Sequence, residues 1–197
     1  GARLQVLRDH EDVHMVIAEK VAQEHVADPL KDELESWDEF NDGNKADIQS
    51  KFAEKLADFE TEEGTAAQDF DDIDYPRMDE AYYGAATSLA DLSSGSAEVK
   101  AMVEATDAFN DGAKAAAADP EALGALTQAI SDSQDALGDT NLARLQYNPD
   151  FKKKVAKAQK VVASLNKKPD ALAEGVKEKL DEVAPVLEKF TWQPDLS

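Results

Sequence analysis

The chain has 197 residues, no cysteine, and 42 acidic against 21 basic side chains, a formal charge of −21. That balance argues against the phosphate backbone of nucleic acid as a main partner, and the missing cysteine excludes disulfide scaffolds, thiolate zinc sites and cysteine nucleophiles. Hydrophobic residues make up 42%, enough to fold, and no run approaches the ~18 consecutive apolar residues of a spanning helix.

All three histidines fall in the first helical segment, at His10, His14 and His25. At ~100° per residue they share one arc with Leu7, Ile17 and Val21, so they point inward or toward a partner. The run His10-Glu11-Asp12-Val13-His14 satisfies H-E-x-x-H, the pattern of zinc metallopeptidases, in which two imidazoles one turn apart hold the ion and the glutamate activates water. The resemblance covers five residues and supplies no third ligand, because His25 lies roughly 16 Å beyond His14 along a straight helix. Glu11 and His14 also form the E-x-x-H of di-iron bundles, without the second copy that chemistry needs. The candidate metal ligands are therefore His10, Glu11 and His14, for zinc or a haem contact. The plainer reading makes these histidines partly buried packing groups.

Leu30, Leu34 and Trp37 form the next stripe, after Asp28-Pro29, a capping side chain before proline that predicts a helix start. Ile48, Phe52, Leu56 and Phe59 follow the Asn41–Asn44 break. Glu60 to Tyr75 then reads as a polar, Asp-rich gap. Its Asp69, Asp71, Asp72 and Asp74 are the kind of oxygen cluster that attracts calcium. An EF-hand from Asp69 fails at Ile73 and Asp74, and one from Asp38 fails at Phe40 and Gln49.

Met78, Tyr82, Ala85, Leu89 and Leu92 resume the helical pattern, and Val99 to Ala113 and Leu123 to Leu137 carry two more stripes. Asp119-Pro120 and Asn148-Pro149 predict further helix starts. Phe151 to Lys168 holds seven lysines and no acid. Its apolar stripe is flanked by Lys152, Lys153, Lys154, Lys157 and Lys160, which would meet the acidic body of the protein, a protein partner or an anionic membrane surface. In the last stripe, Leu172 to Phe190, Pro185 removes the backbone bond to Asp181 and should kink or split the helix.

These elements predict an all-α bundle of about six to eight helices without a sheet, as one domain over 1–197 or sub-divided into 1–92 and 97–190. No G-x-S-x-G, P-loop or G-x-G-x-x-G is present. The expected function is a non-enzymatic interaction or scaffold module that binds another protein, in a cell-envelope or secreted setting. The alternatives are a metal- or haem-binding protein or zinc hydrolase using the first helix, with calcium as a second ion, and peripheral membrane association through 151–168. Charge is segregated: residues 1–150 hold 35 acidic and 11 basic groups, −24, and residues 151–197 hold 7 and 10, +3.

Overall fold

A computed structural model describes residues 1–36, 41–167, 172 and 175–191. Trp37, Trp192 and the start of the Asp38 loop lie outside the described residues. The protein is all-α, with no strand among the described residues. Helix α1 (Ala2–Ala22) runs through a π-turn (Gln23–Ala27) into α2 (Asp28–Glu35), and is followed by α3 (Asp42–Ala86), α4 (Leu89–Gly95), α5 (Ala97–Ala116), α6 (Pro120–Ala136), α7 (Gly138–Tyr147), α8 (Pro149–Asn166) and α9 (Val176–Glu188). With α1, the π-turn and α2 counted as one rod, these are eight helical elements among the described residues.

The proline signals divide. Asp119 accepts from the N–H groups of Glu121 and Ala122, and Asn148 from those of Asp150 and Phe151, so both cap new helices as expected. Asp28-Pro29 does not start a separate helix. The preceding turn widens to the π form, the Asp28 N–H bonds to the Gln23 carbonyl, and the rod continues through the proline. Pro185 leaves α9 in one piece to Glu188.

The expected gap from Glu60 to Tyr75 is instead the middle of the 45-residue α3, with Pro76 inside it. Its partly or fully buried positions are 63, 66, 67, 70, 71 and 74, a helical repeat. The inward face is filled by Ala66, Ala67, Phe70, Asp71 and Asp74 rather than by large aliphatic residues, which hides the periodicity in the sequence.

The chain forms two compact units, one of Gly1–Val6 with Arg77–Ser197 and one of Leu7–Pro76. Across Ser93–Ser96, Leu89 and Leu92 of α4 share a core with Val99, Met102 and Phe109 of α5.

In the larger unit α5 packs on α6, α6 on α9, α9 on α8 and α8 on α5, a closed ring of four helices. Phe109, Leu123, Ile130, Phe151, Leu180, Leu187 and Phe190 fill it with at most 1% exposure, each stabilising by roughly 1.5–3 kcal/mol. The rings of Phe151 and Phe190 meet edge to face at 5.1 Å. A second small cluster joins Val6, Ala81 and Tyr147. There the end of α3 lies so close to α7 that a Cβ on Gly84 would overlap the Arg144 carbonyl.

The smaller unit is an antiparallel hairpin of the α1–α2 rod and the first part of α3. Its cross-pairs His10–Asp74, His14–Asp71 and Glu33–Lys51 keep a constant register over roughly 35 Å of helix.

Candidate metal centre

The i, i+4 spacing of His10 and His14 sets the two imidazoles edge to face on one side of α1, with ring centroids 4.7 Å apart. Across the hairpin, α3 offers Phe70, Asp71, Asp74 and Tyr75 from adjoining turns. His14 Nε2 lies 2.9 Å from Asp71 Oδ1 and 3.1 Å from His10 Nε2, and His10 Nε2 lies 3.4 Å from the same Asp71 oxygen. Three donor atoms from residues 57 and 61 positions apart in sequence thus converge on one point.

The site has a built second layer. His10 Nδ1 is 2.8 Å from Asp74 Oδ2. A carboxylate can only accept, so Nδ1 carries the proton, and in the neutral ring the lone pair sits on Nε2, facing the cluster. His10 and Asp74 are 5% and 3% exposed. Phe70 and Tyr75 stack on the His10 ring, each at 5.2 Å, and fix its plane. Phe70 also meets His14 edge-on at 5.3 Å.

Two imidazole nitrogens and a carboxylate oxygen at these separations need a shared proton or a cation between them. A tetrahedral ion with ~2.0–2.1 Å bonds to nitrogen and oxygen separates its ligand atoms by about 3.3 Å. The observed 2.9, 3.1 and 3.4 Å bracket that edge. His10, His14 and Asp71 are the one group of three or more such ligands brought together among the described residues.

Of the residues expected from the sequence, His10 and His14 meet here. Glu11 does not: it is exposed and outside the converging atoms. His25 sits in the π-turn, partly buried and also outside the cluster. Asp71 and Asp74 were visible in the sequence only as members of an acidic run. Their neighbours Asp69 and Asp72 face solvent.

The lysines of α8 are placed differently. Lys154 contacts both carboxylate oxygens of Asp107 at 2.6 and 2.8 Å, and Lys157 contacts Asp111 at 3.1 Å, both on α5. Lys153 pairs with Asp150 on its own helix. Lys152 lies 5.6 Å from the Tyr147 ring centroid, and Lys160 is exposed. Among the described residues no helix is long and apolar enough to cross a membrane.

No family model, no curated protein and no solved structure matches this chain.

Proposed function

We propose that this protein binds a divalent transition metal ion, zinc by the nature of its donors, through His10 Nε2, His14 Nε2 and Asp71 Oδ1. The observation that carries the reading is the convergence of these three atoms within 3.4 Å of one another. The Asp74 carboxylate behind His10 supports it, since carboxylate–histidine–metal relays orient the ligand ring and raise its basicity. Two imidazoles favour a borderline ion over calcium, which takes oxygen ligands. Three protein ligands leave a fourth position for water or a small ligand.

Metal capture or carriage fits better than hydrolysis, because the exposed Glu11 lends no support to a general-base role. The ligands come from both strands of the hairpin, so binding energy also stabilises it.

The test is elemental analysis of untagged protein dialysed against zinc and then against buffer. One ion per chain is expected, and none in His14→Ala or Asp71→Ala. Equal zinc in wild type and both variants overturns the assignment.

A further inference from the structure

Among its described residues the smaller unit consists of the α1–α2 rod and the first part of α3, and away from the metal centre these leave apolar side chains half-exposed. Leu34 on α2 is 46% exposed, and Phe52 and Leu56 on α3 are 49% and 42% exposed. Ile48 and Phe59 lie on the same α3 face, four residues before and seven after Phe52, and are partly buried. A stripe with anchors at i, i+4, i+8 and i+11 is the pattern of helix-on-helix recognition. It lies roughly 25 Å along α3 from Asp71 and Asp74, apart from the metal centre.

Charge selects the occupant. Residues 28–63 hold 13 acidic against 4 basic side chains, a net −9. Three of those four are engaged with local acids: Lys31 with Glu35, Lys51 with Glu33 and Lys55 with Asp58. A second copy of this surface would bring the same charge against it, and an anionic bilayer would be repelled. A helix with lysine or arginine flanking an apolar stripe covers the leucines and the phenylalanine and neutralises the acidic rim together.

We propose that the face formed by Leu34, Phe52 and Leu56 docks a basic amphipathic helix of a partner protein. The anchors are the half-exposed apolar side chains, and the acidic rim steers the approach and rejects acidic partners.

A fluorescein-labelled synthetic peptide with leucine at helical spacing and lysine elsewhere, titrated against the full chain by anisotropy, tests this. A peptide with glutamate in place of lysine is the control. One lysine peptide should bind per chain. Phe52→Ser with Leu56→Ser should weaken it at least about tenfold, with an unchanged circular dichroism spectrum. Met15→Ser, at a 72% exposed apolar position elsewhere in the same unit, should bind as wild type.

Glu54→Lys with Glu60→Lys, both at exposed positions, should also weaken binding and leave the apolar anchors in place. That pair keeps the test decisive if the serine variant loses helix. Equal binding by the serine variant at unchanged helicity, no effect of the charge reversal, or equal binding of the glutamate peptide overturns the proposal. So does a wild-type dimer in sedimentation that the serine variant dissolves, which would make the occupant a second copy.

Discussion

His10 donates from Nδ1 to Asp74 Oδ2 across 2.8 Å, with both side chains almost sealed from solvent. The pair joins α1 to α3 over 64 residues of sequence and turns the His10 lone pair toward His14 and Asp71. Asp74 stands outside the three converging donor atoms, yet it sets the orientation of the ring that carries one of them.

Asp74→Asn should therefore weaken zinc binding about 10- to 100-fold with the three ligands intact. Isothermal titration of Asp74→Asn beside Glu11→Gln checks this. The Glu11 variant should bind within about twofold of wild type, because its side chain stands outside the cluster.

A saturating zinc excess of 100-fold over Kd should add about 2.7 kcal/mol of stability, read by thermal unfolding.

The larger unit depends on Asn148. Its Nδ2 donates to the carbonyls of Gly84 and Thr87 at 3.0 and 2.9 Å, while its Oδ1 caps α8. Asn148→Ala removes a cap and leaves the buried Gly84 carbonyl and the partly buried Thr87 carbonyl without that donor, at a cost of about 2–4 kcal/mol. Gly84→Ala should destabilise the same contact by driving a methyl group into the Arg144 carbonyl. Gly64→Ala, at an exposed helical position with open space around it, should stabilise by up to about 1 kcal/mol. Urea unfolding of the three variants separates these outcomes.

At the start of α5, Ser96 Oγ accepts from the Val99 N–H and donates to Glu98 Oε2 at 2.7 Å. That hydroxyl, together with the Glu98 backbone N–H, holds the Glu98 carboxyl below its ordinary value. A carboxyl depressed in the folded state contributes stability above its unfolded pKa and loses it as pH falls through the folded value. Ser96→Ala should cost about 1 kcal/mol near neutral pH through the lost cap, and the difference from wild type should narrow in acid. Unfolding midpoints from pH 7 to pH 3 check the sign.

Helix class and the core of the larger unit were legible because its stripes carry large apolar residues between capped starts. Phe109, Ile130, Leu180 and Leu187 are buried as their spacing implies. The hairpin was harder to read. The inward face of α3 from residue 63 to 74 uses one glutamate, two alanines, one phenylalanine and two aspartates, so a helix looked like an acidic gap. For the same reason the first-helix motif placed two imidazoles on one face, while the carboxylate that meets them comes from a register between distant segments that no local pattern encodes. Glu11 was favoured by adjacency in sequence, while Asp71 reaches the site through tertiary pairing.

The visible absorption spectrum of the Co2+-loaded protein tests the proposed metal centre most directly, because it reads ligand identity and geometry together. Wild type should show the intense d–d bands of a four-coordinate site with nitrogen and oxygen donors. Asp71→Ala should shift or abolish them, and Glu11→Gln should leave them unchanged. Weak six-coordinate bands in wild type, or bands that respond to Glu11 and not to Asp71, would contradict the centre formed by His10, His14 and Asp71.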